Sequence, residues 1–145
     1  MRARPLSPDA MSEIFILDSC VIVDDLRAGR HSLRFAELKG VLRTSSVVLA
    51  ELWRGATSPV DHKILHALER NHPIFTPTEK DWLESGRILA AIRAEKGFEP
   101  AKLRDLHFDV LIALTARSHG ATLITSNRGD FELIRAYRGF KLEVW

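Results

Sequence analysis

The chain has 145 residues, 46% of them hydrophobic and 28% charged, with a formal net charge of +2, a composition that suits one globular domain. No apolar run approaches the roughly 18–20 residues that cross a bilayer, and residues 1–12 carry two Arg and two Pro without the apolar stretch of a secretory signal. The single cysteine, Cys20, excludes an internal disulfide and a cysteine zinc site, so a cytoplasmic protein is expected. An isoelectric point near 8.9 permits a nucleic-acid partner without requiring one.

Residues 1–12 are expected to be a flexible extension, with Met11 a second candidate start, ahead of one domain over 13–145. Ile14-Phe15-Ile16-Leu17 reads as a short buried strand that ends on a carboxylate, Asp18. Residues 19–26 turn directly into a helix, and residues 27–31 break it. Residues 32–38 form another short helix closed by Gly40, and 41–44 a second strand. Ser45-Ser46 offers a cap to an apolar helix over 47–56, with Glu51 in its middle. Residues 60–70 are amphipathic. A strand is expected within 72–77, between prolines. Thr78 and Asp81 resemble a capping box opening a helix to about Lys96, with Trp82, Gly86, Leu89 and Ile92 as its stripe. Residues 101–106 read as a basic loop, and Asp105 as a cap for a helix over 108–118. Residues 121–125 are a strand, 126–130 a polar turn, 131–136 a short helix, and 140–144 a last, alternating strand. Strands separated by helical crossovers imply a three-layer α/β/α fold around a mostly parallel sheet.

Most of the 19 acidic residues sit on polar faces, where solvation accounts for them. Asp18, Glu51 and Asp109 do not. Asp18 ends a buried strand, Glu51 interrupts an apolar helix, and Asp109 stands near the first turn of another, which returns on the opposite edge unless the basic loop before it lets it reach the same one. Asp130, or the amide of Asn127, follows a further buried strand. In open α/β sheets ligands bind at the carboxyl edge of the strands. Carboxylates that converge there repel one another unless a divalent cation lies among them or some stay protonated. Mg²⁺ and Mn²⁺ suit such oxygen-rich sites and bind phosphate oxygens, which points to phosphodiester chemistry.

Four segments resemble the PIN domain, and more narrowly the VapC-like ribonuclease toxins. They are Phe15-Ile16-Leu17-Asp18-Ser19, Ser45-Ser46-Val47-Val48-Leu49-Ala50-Glu51-Leu52, Phe108-Asp109-Val110-Leu111-Ile112-Ala113 and Leu123-Ile124-Thr125-Ser126-Asn127-Arg128-Gly129-Asp130-Phe131. The resemblance implies a Mg²⁺- or Mn²⁺-dependent endoribonuclease with Asp18, Glu51 and Asp109 as its acidic core. A fourth ligand comes from Asn127 or Asp130; the family often has Asp at the position of Asn127. Asp18, Glu51, Asp109 and Asp130 are the candidate catalytic residues. Ser19 keeps a hydroxyl that can support a carboxylate, whereas Cys20 stands where the family commonly has Asn. The resemblance also implies a homodimer and a VapB-like antitoxin whose C-terminal segment lies across the site.

Arg54, Lys102, Arg104 and Arg128 neighbour the acids and are candidate RNA contacts. Single-stranded or loop RNA is the expected substrate, because sequence reading of RNA favours unstacked bases. The rival readings are weaker. A haloacid-dehalogenase-like phosphatase wants a second Asp where Cys20 stands, and a receiver domain wants its acidic pair earlier than Asp24-Asp25. A PIN-like module that has lost catalysis and only binds RNA or protein is the alternative that Asn127 and Cys20 support.

Overall fold

The computed structural model describes residues 13–145; the expected extension over 1–12 lies outside the described residues. Strands β1 (Glu13–Leu17), β2 (Gly40–Ser45), β3 (Ile74–Phe75), β4 (Thr122–Thr125) and β5 (Lys141–Val144) form one parallel sheet in the order β3-β2-β1-β4-β5. Between them run α1 (Ser19–Ala28), α2 (Ser32–Glu37), α3 (Ser46–Gly55), α4 (Pro59–Asn71), α5 (Glu79–Lys96), α6 (Pro100–Ser118) and α7 (Arg128–Tyr137).

Side chains alternate across a strand, and β1 shows what this does here. Ile16 enters a core with residues of α3, α5, α6 and α7, whereas Phe15 enters a second core with Val21 of α1 and Phe35 of α2. Leu123 and Ile124 of β4 divide in the same way. The sheet is thus covered on both faces, and the three-layer α/β/α reading holds. Strands buried on both faces carry apolar residues at successive positions, which is why β1 and β4 read so clearly.

Four expectations are corrected. β3 is only Ile74–Phe75, since Pro73 and Pro77 have no N–H for a ladder, although the Pro73 carbonyl still accepts from Thr44. Residues 101–106 are helix rather than loop. Pro100 starts α6, a position where its missing N–H is harmless, and Leu106 and Val110 continue one fully buried stripe. Asp105 therefore caps nothing, and Asp109 lies inside the helix. The buried stripe of α5 is Asp81, Ser85, Ile88 and Ile92, with Trp82 50% exposed. Two polar residues occupy that stripe because each is bonded: Asp81 accepts from Ser118 (2.6 Å), and Ser85 donates to the Trp82 carbonyl (2.6 Å). Finally, α7 starts at Arg128, before the expected Phe131, because Asn127 is its cap.

Gly40 lies where β2 approaches β1 most closely. An added Cβ would run into the Glu13 carbonyl oxygen and come within 2.7 Å of the Phe15 ring. Gly40→Ala is expected to destabilise the fold by about 1–3 kcal/mol, read as a lower urea midpoint. An unchanged midpoint would mean that the two strands part freely.

Candidate active site

Three helices begin at the carboxyl edge of the sheet, because α1, α3 and α7 each follow directly from β1, β2 or β4. Their N-termini bring partial positive charge to that edge, which favours anions there. α6 approaches differently. It delivers the chain to the start of β4, so its N-terminal half rises to the carboxyl edge and no loop is needed to bring Asp109 there.

Asp18 links β1 to α1. Its N–H donates to the Ile124 carbonyl (2.9 Å), and its side chain caps α1. The residue is 4% exposed, and a carboxylate so buried must be met by donors. Oδ1 accepts from the Ser19 N–H (2.9 Å). Oδ2 accepts from the Thr125 hydroxyl (2.8 Å) and the Cys20 thiol (3.2 Å). Burial and the neighbouring Asp18 hold the Cys20 thiol above its ordinary pKa.

Glu51 sits half-buried in α3, whose start is capped by Ser45 accepting from Val47 and Val48. The Ser19 hydroxyl donates to Glu51 (3.5 Å). Burial and then the Asp18 charge raise the Glu51 pKa, against the opposing pull of Arg54 and the Ser19 bond. Asp109 carries the larger perturbation. Burial first, then the charges of Asp18, Glu51 and Asp130, push its pKa up to about 8, and Lys102 pulls it down.

The turn after β4 separates two roles. Asn127 Oδ1 accepts from the Asp130 N–H (3.4 Å) and caps α7, while its Nδ2 donates to Asp130 Oδ2 (3.2 Å). Asp130 Oδ1 accepts from Lys102 Nζ (3.1 Å). Asp18, Glu51, Asp109 and Asp130 therefore share one electrostatic neighbourhood, and Asn127 bonds directly to one of them. Among the described residues, no three His, Cys, Asp or Glu side chains stand close enough together, as placed, to hold a metal ion.

The four expected RNA contacts differ. Lys102 is tied to Asp130, so its charge serves the acids. Arg54 is exposed, with its guanidinium 5.6 Å from the Phe108 ring centre. Arg104 is exposed on α6, and exposed Arg128 faces Glu132 at 4.0 Å. His107 bonds Ser85 and stands edge-on to Trp82, away from the acids. The residue that the sequence did not single out is Thr125, whose hydroxyl also accepts from the Asn127 N–H (3.0 Å). A Thr at a strand end is ordinary, so only its register beside Asp18 identifies it.

The pKa of Asp109 sets a pH dependence. Its ordinary value is 3.8 and its folded value about 8, so between them the folded chain holds a proton that the unfolded chain has lost. Metal-free stability should therefore fall as pH rises from about 4 to about 8, then level off. Asp109→Asn should flatten that slope and stabilise the metal-free protein at pH 8 by about 1–3 kcal/mol, whereas Lys102→Met should destabilise it there. Urea titrations across pH test this; an Asp109→Asn profile parallel to that of the parent would place the carboxyl outside the acidic field.

The PIN domain profile matches residues 15–137. No curated protein matches the chain. Solved structures do. VapBC2 from Rickettsia felis, bound to a DNA fragment from its promoter, is 25% identical with a TM-score of 0.67, covering 91% of this chain and 98% of that one. A toxin–antitoxin complex from Klebsiella pneumoniae is 26% identical with a TM-score of 0.54, covering 83% and 90%. DNA-bound VapBC from Salmonella typhimurium, at 23% identity and a TM-score of 0.65, covers 92% and 98% and shares the fold. With a family profile over nearly all of its described length and acids from four separate segments gathered at one sheet edge, the chain belongs to the PIN domain family.

Proposed function

We propose that the chain is a Mg²⁺- or Mn²⁺-dependent endoribonuclease and the toxin of a toxin–antitoxin pair. One observation carries this reading. Asp109, just before the buried run Val110–Ala116 of α6, feels the charge of three acids brought from far along the chain. Such repulsion costs the fold unless protonation or a cation offsets it.

The donor set fits an oxygen-seeking dication. Mg²⁺ needs no closed protein cage: it usually keeps several waters and takes one or two carboxylates together with substrate phosphate. Asp18, Glu51 and Asp109 would hold the ion, with Asp130 beside them and Asn127 steadying Asp130. When bound, the ion supplies a water of lowered pKa and charge to offset that on the phosphate. The chain's own groups do the rest. Ser19 orients Glu51, Thr125 orients Asp18, and Asp109 would have to give its proton to solvent for a cation to be held there. Arg54, Arg104 and Arg128 are exposed cations for RNA phosphates, so binding should weaken with salt. Lys102 is a fourth contact if it exchanges Asp130 for a phosphate.

The antitoxin part rests on the toxin–antitoxin complexes among the structural neighbours and on a groove beside the acids. This groove, of about 420 Å³, runs from Ser19, Glu51 and Arg54 over Leu26, Leu52 and Val60. Leu26 and Val60 are 53% and 65% exposed, so an antitoxin segment with an apolar side can cover them while a basic side chain reaches the acids. The protein is read as a cytoplasmic homodimer of one PIN domain; among the described residues no helix is long and apolar enough to cross a membrane.

The test is cleavage of a panel of single-stranded and hairpin RNAs by antitoxin-free protein. Cleavage should need Mg²⁺ or Mn²⁺, stop with EDTA and leave 5′-phosphate and 3′-hydroxyl ends. Asp18→Asn and Asp109→Asn should each lose at least about 100-fold, the upper end of what even outer partners of a metal contribute. Cleavage that persists in both variants rejects the mechanism. RNA binding without cleavage by the metal-loaded parent turns the reading to a binding module.

A further inference from the structure

We propose that Cys20 is a positioning residue for Asp18: its thiol and the Thr125 hydroxyl together fill Oδ2 and leave Oδ1 as the oxygen that faces a cation. The inference rests on the metal-dependent reading above.

An ionised carboxylate offers about four lone-pair sites, two on each oxygen. The Ser19 N–H takes one on Oδ1. Thr125, from β4, takes one on Oδ2 at 2.8 Å, and Cys20, from the first turn of α1, takes the other at 3.2 Å. Two elements thus grip one oxygen from different sides, and the carboxylate plane cannot turn without breaking one of the grips. The single lone pair left over is on Oδ1. Cys20 is itself held: the Ser126 hydroxyl donates to its sulfur (3.1 Å), and the Thr125 hydroxyl lies 3.6 Å away. A thiol suits this place because it packs against the core around Phe15, Val21 and Ile124 while still offering a donor. Support of this kind fixes a ligand's orientation, and ligand orientation sets the metal's affinity and the geometry of attack.

The experiment compares the full, antitoxin-free chain with Cys20→Ala, Cys20→Val and Cys20→Ser. Mn²⁺ binding is read by calorimetry, and kcat and KM by cleavage of one RNA. Cys20→Ala and Cys20→Val, which lack a donor, should each weaken Mn²⁺ binding and lower kcat by about 10-fold while KM stays near that of the parent. Cys20→Ser, which keeps a donor, should stay within about threefold of the parent in both. Cys20→Val leaves no cavity where the thiol stood, so its loss at an unchanged melting temperature excludes a packing defect. If Cys20→Ala and Cys20→Val bind Mn²⁺ as the parent does, or if Cys20→Ser loses as much as Cys20→Ala, the positioning role is overturned alone. A parent that neither binds Mn²⁺ nor cleaves RNA overturns the metal-dependent reading, and this one with it.

Discussion

The buried hydrogen bond from Thr125 to Asp18, 2.8 Å long across the β1–β4 pair, is the contact on which the site depends. It exists because of register. Leu17 pairs with Ile124, so the residues that follow, Asp18 and Thr125, come side by side where both strands end. The Asp18 N–H still joins the ladder through Ile124, which keeps the backbone straight up to the carboxylate. From there α1 departs with Asp18 as its cap. One residue thus closes a strand, opens a helix and presents an acid. A shift of one position in the pairing would send Thr125 to the other face and leave a buried carboxylate short of a donor.

The remaining acids are held against their own repulsion. Asp109 is kept in place by the apolar residues around it on α6: Leu106, Val110 and Ile112 are fully buried and fix the helix, so its partly buried carboxyl stays turned toward the other acids. The chain therefore accepts a protonated Asp109 as the less costly form in the absence of a cation. Lys102 offsets part of the negative field from the first turn of the same helix. Burial and like charges gathered in one place shift a carboxyl this far, and shifts of this kind cluster at functional sites.

Much of this was legible in the sequence because the strands are buried on both faces. Runs such as Ile14-Phe15-Ile16-Leu17 and Leu123-Ile124 leave little choice of element, and an acid directly after the first run has little choice of place. Asp18, Glu51 and Asp109 stood out against apolar neighbours for the same reason. What pattern reading missed depends on contacts between distant segments. The start of α6 was obscured by Lys102 and Arg104, charged residues that read as loop; Arg104 lies on the solvated side of the helix, whereas Lys102 is held by Asp130, a partner far along the chain. The stripe of α5 was shifted because Asp81 and Ser85 are buried through bonds to Ser118 and to the Trp82 carbonyl, and nothing local announces such partners. Thr125 meets Asp18 only because β1 and β4 lie side by side.

The turn after β4 shows how a departure from the family's residue can leave the surrounding geometry in working order. Asn127 stands where the family often has Asp. A helix cap needs only an acceptor, and Asn serves as well as Asp in that role. The Asn127 carbonyl oxygen takes the Asp130 N–H, so α7 keeps its start. Its amide nitrogen then does what a carboxylate could not, and donates to Asp130. With the cap supplied by a neutral residue, the Asp130 carboxylate is free to meet Lys102 and to add its charge to the field at Asp109. A second carboxylate at Asn127 would have faced Asp130 directly, where the repulsion would have opposed the turn itself. The neutral amide therefore keeps one negative charge in this turn, and it sits on the residue that Lys102 reaches.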